Sequence, residues 1–227
     1  MPDELVLSGI VKGFDAGPAV LDGLSVTVPL DGITFVVGKS GSGKSVLCRL
    51  AVGLLKPDAG EVRLLGERVD TMPERELALL RKRAPYLVQG PALLDWLDLL
   101  DNVALASKGS REDGRAMAAL ESLGLAALSS RHPPEVGPGI RKRTAIARAL
   151  VLEPRYLLLD EPTTGLDSKA ASMVNEALEV LRARKLGALV VSHDYAALER
   201  LADRVVEVDR GKLGYFGDRA GFLQRRR

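Results

Sequence analysis

The run Ile33-Thr34-Phe35-Val36-Val37 leads without a gap into Gly38-Lys39-Ser40-Gly41-Ser42-Gly43-Lys44-Ser45. No other stretch constrains the fold as much. An apolar run of this length reads as a strand buried on both faces. After the glycines, Val46, Leu47, Leu50, Ala51 and Leu54 recur at helical spacing, and Pro57 and Gly60 are expected to end that helix. The octapeptide fits G-x-x-x-x-G-K-[ST] between a strand and a helix, the context in which a loop cradles phosphate. Glycines let the backbone wrap closely and take positive φ. Successive N–H groups and a helix N-terminus favour the anion. Lys44 reaches the terminal phosphates as a point charge. The Ser45 hydroxyl is placed to ligate Mg²⁺. Gly38, Lys39, Ser40, Gly41, Ser42, Gly43, Lys44 and Ser45 are therefore the expected phosphate-binding residues.

The flanking sequence sets the architecture. Leu5 to Lys12 and Leu24 to Val28 are β-rich, with turn clusters at Asp15-Ala16-Gly17-Pro18 and Asp31-Gly32. From Glu74 to about Leu152 helix formers dominate, broken near Gly90-Pro91 and at His132-Pro133-Pro134. An α/β rhythm then resumes. Tyr156 to Leu159 reads as a buried strand, Ala170 to Arg184 as a helix and Ala188 to Val191 as a strand. The helix Tyr195 to Ala202, the strand Arg204 to Val208 and the turn Arg210-Gly211 follow. Alternating strands and helices imply a parallel sheet. The expectation is an α/β fold: a P-loop nucleotide-binding core with a mostly parallel sheet, an N-terminal antiparallel β part and an inserted helical lobe. It predicts one domain, with residues 1–77 and 153–227 as core and about 78–152 as the lobe.

A second motif completes the chemistry. Leu157-Leu158-Leu159-Asp160-Glu161 is a buried strand ending in two carboxylates. Open α/β sheets bind ligands at the carboxyl edge of their strands. Asp160 can hold Mg²⁺ there, and Glu161 can polarise an attacking water as general base.

Composition narrows the partners. The chain has 227 residues, 46% hydrophobic and 27% charged, with no run of 18 apolar residues that could span a membrane. Net charge is +2, which gives no electrostatic case for nucleic acid as the main partner. One cysteine, Cys48, excludes an internal disulfide, and two histidines leave little for a metal cluster. The start, Met1-Pro2-Asp3-Glu4, does not read as a secretory signal. The terminal Arg225-Arg226-Arg227 reads as a frayed, solvated end rather than a membrane contact. Little sequence follows Gly211, so no C-terminal regulatory domain is expected.

With these motifs in order, the chain resembles the ABC ATPases over nearly its whole length. The resemblance implies ATP and Mg²⁺ as ligands, and a cytoplasmic subunit lying peripherally on the inner face of the cell membrane. It also implies two protein partners, an integral-membrane transporter subunit and a second ATPase subunit. Phe14, in Val11-Lys12-Gly13-Phe14, holds the place of the residue that stacks on adenine in that family; a core residue is the alternative. Gln89, in Tyr86-Leu87-Val88-Gln89, matches the glutamine that touches Mg²⁺ and the attacking water. His193, in Val190-Val191-Ser192-His193-Asp194, matches the histidine that senses the γ-phosphate. Thr164-Gly165-Leu166-Asp167 resembles the loop whose aspartate crosses to the partner. The implied catalytic set is Glu161, His193, Gln89 and Lys44; the implied metal set is Ser45, Gln89 and Asp160.

One motif departs. The family's signature, usually L-S-G-G-Q, falls here on Val136-Gly137-Pro138-Gly139-Ile140, and Arg141 to Leu150 fits the family well. Gly137 supplies no hydroxyl. Pro138 removes an N–H and fixes φ near −65°. Gly139 and the helix start remain to attract an anion. Because a signature acts on the partner's nucleotide, a homodimer would be weakened at both sites, whereas a different partner could supply an intact signature. The alternative reading is a degenerate cassette that binds ATP and hydrolyses it slowly. Finally, Arg81-Lys82-Arg83, Gln89 to Leu94 and Leu100 to Ala104 look like MCE/Mla-type ATPases of phospholipid trafficking, although Gly90-Pro91 departs from that pattern. A ribosome- or DNA-directed member of the family usually carries tandem cassettes or a long insertion, and this chain has neither.

Overall fold

The computed structural model describes residues 3–14, 17–107 and 114–226. Asp15 and Ala16 of the expected first turn, and the terminal Arg227, lie outside them. An antiparallel sheet opens the chain. β1 (Glu4–Lys12) pairs with β2 (Leu21–Pro29), where Leu24, Val26 and Val28 are buried while Ser25 and Thr27 are exposed. This period-two alternation is that of a sheet with one wet face. The buried run becomes β3 (Ile33–Val37), and α1 (Lys44–Ala51) starts directly after the phosphate loop. β4 (Ala59–Leu64) and β5 (Glu67–Arg68) then extend the first sheet, in the order β2-β1-β4-β5. Neither strand was foreseen, because Val62 and Leu64 alone carry the alternation.

α2 (Glu74–Arg83) and β6 (Tyr86–Leu87) precede the main helical segment of α3 (Leu99–Ser107), α4 (Arg115–Ser122) and α5 (Pro138–Leu150). Short 3₁₀ turns stand at Ala126–Leu128 and Pro133–Glu135. The chain returns through β7 (Tyr156–Asp160), α6 (Ser168–Ala183), β8 (Gly187–Val191), α7 (Tyr195–Leu201) and β9 (Arg204–Asp209). It closes with β10 (Lys212–Asp218) and α8 (Arg219–Gln224).

The second sheet has the order β10-β9-β3-β8-β7-β6. All its pairings are parallel except β9–β10. β3, β7 and β8 are buried at every position, as their unbroken apolar runs predict. The mostly parallel sheet, the antiparallel N-terminal part and the helical insertion are thus all present. Leu77 and Leu80 of α2 pack in the same core cluster as α1 and β1, and β6 belongs to the central sheet. The chain therefore leaves the sheet only after β6. The other core cluster runs from Phe35, Leu157 and Val190 into Val103, Leu120 and Ile146, so the helices rest on the sheet without a polar gap. Each such large apolar side chain stabilises the fold by about 1.5–3 kcal/mol.

Two local expectations are corrected and one is borne out. The first helix stops at Ala51, not beyond Leu54, which is exposed. Gly53 turns left-handed at φ +67°, and a Cβ there would lie 2.5 Å from Leu77 Cδ2. Arg81 seals that helix end, its Nε donating to the Val52 carbonyl at 3.0 Å and Nη2 to the Gly53 carbonyl at 3.1 Å. Second, Arg210 and Gly211, both at positive φ, make the two-residue turn of a hairpin from β9 to β10. Third, Arg225 and Arg226, though exposed, are held against aromatic rings rather than frayed. The Arg225 guanidinium lies 5.1 Å from the Tyr215 ring, and that of Arg226 lies 4.5 Å from the Tyr195 ring.

Candidate nucleotide site

Parallel pairing assembles the site. β3, β8, β7 and β6 are neighbours and point the same way, so all their carboxyl ends fall at one edge. Register keeps those ends level: Val36 pairs with Val191, Asp160 with Val191, and Leu87 with Leu159. The phosphate loop leaves β3, His193 follows β8, Glu161 follows β7 and Gln89 follows β6. Four segments distant in sequence thus meet where open α/β sheets bind ligands.

The loop's glycines are required by its shape. Gly38, Gly41 and Gly43 have φ of +147°, +75° and +105°. A Cβ on Gly38 would sit 2.2 Å from the Val208 carbonyl oxygen, and one on Gly43 would sit 2.6 Å from Leu21 Cδ2. The cleft beside the loop is lined by Val20, Ser40, Gly41, Lys44, Ser45 and Glu161, among others. Lys44 is buried, and its Nζ donates to the Gly38 carbonyl at 3.0 Å and the Lys39 carbonyl at 2.9 Å. Burial lowers its pKa, while the charges of Glu161 and Asp160 act the other way. Phosphate oxygens entering this loop would restore the favourable surroundings that burial removes.

The two carboxylates divide their tasks. Asp160 is buried; its Oδ1 accepts from the Ser45 hydroxyl at 2.9 Å and its Oδ2 from the Tyr86 hydroxyl at 2.6 Å. Ser45 and Asp160 thus present oxygen donors at one point, the set a hard cation such as Mg²⁺ takes. Glu161 faces the cleft. Its backbone is left-handed, φ +49°, which costs an L-residue about 1–2 kcal/mol. A bond from its N–H to the Val191 carbonyl at 2.9 Å helps to hold that turn. Its Oε1 lies 3.3 Å from His193 Nε2, and its Oε2 accepts from the Thr164 hydroxyl at 2.9 Å. The carboxylate is therefore oriented at both oxygens.

The other expected residues are placed less uniformly. His193 is exposed, and behind it Asp194 caps α7, accepting from Ala197 N at 2.9 Å and from Asn175 Nδ2 at 2.9 Å. Gln89 is exposed, and its backbone carbonyl accepts from Lys142. Phe14 is 43% exposed and belongs to neither core cluster, which removes the alternative of a core residue. Asp167 caps α6 of its own chain, accepting from Ala170 N at 2.8 Å. At the signature, Gly137 is the N-cap of α5 and Pro138 its first residue. Proline suits that position, because the N–H it lacks has no partner within a helix. Gly139 is buried, and a Cβ there would lie 3.0 Å from Ala170 Cβ, so it also serves close packing of α5 on α6.

Comparison with known proteins fits this geometry. Residues 21–164 match the family described as ABC transporter. The chain belongs to the ABC transporter ATP-binding family. The lipoprotein-releasing system ATP-binding protein LolD of Xanthomonas euvesicatoria pv. vesicatoria is 40% identical over 201 residues, 86% of this chain and 82% of that one. The methionine import ATP-binding protein MetN 1 of Rhodopseudomonas palustris is 36% identical over 199 residues, 85% of this chain and 53% of that one. Among solved structures, cbiO1 of Clostridium perfringens, part of the ABC transporter complex cbiONQ, superposes with a TM-score of 0.89 at 25% identity. It covers 100% of this chain and 92% of its own. The dimeric post-hydrolysis state of the cassette MJ0796, bound to ADP and Pi, gives a TM-score of 0.81 at 25% identity, covering 94% and 98%. The chain is thus an ATP-hydrolysing cassette by family.

Sequence reasoning passed over three side chains of this ABC cassette. Tyr86 supports Asp160, and burial followed by that hydrogen bond pushes its phenol pKa up, so it stays a donor. Thr164 orients Glu161. Lys142 lies on α5, buried beside Gln89 and Glu161. Lys142 stands between Arg141 and Arg143, so nothing in the sequence singled it out. The first two depend on contacts that only pairing and turn geometry create.

Proposed function

We propose that this cassette binds ATP with Mg²⁺ at the β3–β8–β7–β6 edge and hydrolyses it to drive a separate integral-membrane transporter subunit. It would lie peripherally on the cytoplasmic face of the cell membrane and work with a second cassette. The observation that carries the reading is the convergence of Ser45, Asp160, Glu161 and His193 around the phosphate loop. In it, the loop amides and Lys44 hold the phosphates. Ser45, Asp160 and Gln89 hold the metal, which when bound draws charge from the phosphate oxygens. Glu161 accepts the proton of the attacking water, steadied by His193 and Thr164. Phe14 offers an exposed ring for adenine. Gly139, at the start of α5, and Asp167 would meet the nucleotide bound across a dimer. No helix among the described residues is long and apolar enough to cross a membrane.

A cleft of about 220 Å³ beside α5, lined by Val88, Gly90, Pro91, Ala106 and Arg148, supports docking of the membrane subunit's coupling helix. Trp96, 74% exposed, stands in the same segment after Gln89. The cargo we assign is a lipid or lipid-bearing molecule, with phospholipid as the first candidate. Its support is the likeness of residues 81–104 to the MCE/Mla-type ATPases, together with the 40% identity to a lipoprotein-releasing ATPase. Arg81 and Arg83, part of that likeness, also serve this fold, through the end of α1 and an ion pair with Glu67.

A second reading rests on Gly137 and Pro138. Without the serine hydroxyl, a homodimer loses one charge-assisted hydrogen bond at each site, about 1.5–3 kcal/mol or ten- to a hundredfold in rate. The chain then binds ATP firmly and turns over slowly unless a different cassette supplies an intact signature. Steady-state ATPase of the purified chain, alone and with a candidate partner, separates the two readings. A brisk rate alone, abolished in Lys44→Ala, would overturn the need for a different partner.

A further inference from the structure

We infer that Lys142 is a positioning residue for hydrolysis, its ammonium tying the loop at Gln89 to the backbone of Glu161. The inference rests on the reading of Glu161 as the general base. Lys142 projects from the signature helix α5 and is 9% exposed. Its stem borders a small cavity walled by Leu87, Val88, Pro91, Leu159 and Pro162, which suits four methylenes. Its Nζ donates to the Gln89 carbonyl and approaches the Glu161 carbonyl at 3.5 Å. A buried ammonium is stable only where acceptors meet its hydrogens. Two backbone carbonyls meet them here. Burial lowers its pKa, and the charges of Glu161 and Asp160 oppose that.

The carbonyls are the informative partners. Glu161 holds φ +49°, a conformation an L-residue keeps only where neighbouring bonds fix it. Its N–H donates to the Val191 carbonyl at 2.9 Å, and its own carbonyl accepts from Thr164 N at 3.3 Å. Lys142 adds a grip from a different part of the fold. If the peptide rotates, the carboxylate that faces His193 rotates with it. The same ammonium holds Gln89, so one side chain sets the spacing between two segments that must converge on the attacking water. Lys142 touches no reacting atom; it acts through the two backbones.

The experiment uses the full chain with Lys142→Met, which keeps the stem and loses the donors, and Lys142→Gln, which keeps two N–H donors. Single-turnover hydrolysis, with the chain in excess over ATP, keeps a slow rate readable. Equilibrium ATP affinity and the thermal midpoint without nucleotide are measured beside it. The expected result is a rate lower by about ten- to a hundredfold in Lys142→Met, with affinity and midpoint unchanged, and most of the rate recovered in Lys142→Gln. The inference is overturned if Lys142→Met hydrolyses like the parent. It is equally overturned if both variants slow alike while their midpoints fall together, the mark of a merely structural lysine. Glu161→Gln run in parallel separates the premises: parental turnover there removes the general-base reading, whatever Lys142 does.

Discussion

The phosphate loop and the signature are both glycine-containing helix starts, and they use glycine for opposite reasons. α1 begins after Gly43 in a left-handed conformation, and Gly38 and Gly43 stand where a Cβ would overlap Val208 or Leu21. The fold compels glycine there. α5 begins after Gly137, whose φ −68° and ψ 162° suit any residue, and a Cβ on it would meet nothing within 4 Å. Nothing in this chain compels glycine at Gly137. Neither start has a side-chain cap, but at α5 Pro138 has no N–H and those of Ile140 and Arg141 donate to the Gly137 carbonyl, which leaves the Gly139 N–H to face an anion. The lesson is that folding does not account for the missing signature serine, which leaves the proposed chemistry toward a partner's nucleotide as the place to test it. Asp167, which caps α6, shows what a helix start looks like when its own chain satisfies it.

The largest test of the contrast lies at the phosphate end. Glu161→Gln is expected to cut the hydrolysis rate by about 10²- to 10⁴-fold while ATP still binds, read by single turnover and equilibrium binding. Gly38→Ala comes next. Its added methyl meets a backbone oxygen 2.2 Å away, so unfolding free energy should fall by about 1–3 kcal/mol or more in denaturant. Gly137→Ala in the same assay should stay within about 0.5 kcal/mol of the parent. Equal losses at the two glycines would erase the comparison. Gly137→Ser is the constructive version: the site has room, and homodimer ATPase should rise about tenfold or more. An unchanged rate would place the block at Pro138 instead. At the capped start the effect should fall between those of the two glycines, Asp167→Ala costing about 1 kcal/mol of stability by thermal or chemical unfolding.

Much of this was legible from residues alone, and the reasons are specific. Ile33 to Val37 and Leu157 to Asp160 are apolar at nearly every position, which leaves a strand only the inside of a parallel sheet. The phosphate loop carries its own geometry in its glycines. β4 and β5 were not legible, because two buried residues in β4 and none in β5 make no pattern to read. The end of α1 was not legible because Leu77, which leaves no room for a Cβ at the left-handed Gly53, comes from the later helix α2. Arg225 and Arg226 look frayed in sequence, and only β10 and α7 bring Tyr215 and Tyr195 beneath them.

The sequence by itself determined the chemistry available: a phosphate-wrapping loop, a carboxylate pair at a strand end and a signature without its hydroxyl. These are local, since spacing along the backbone suffices to define them. Tertiary structure decided which groups meet. The strand order β3-β8-β7-β6 sets Ser45 against Asp160 and His193 against Glu161, across sequence gaps that no local pattern spans. It also turned Lys142 from one charge among many into a buried tie between Gln89 and Glu161, because hydrogen bonds to backbone carbonyls leave no trace in residue type.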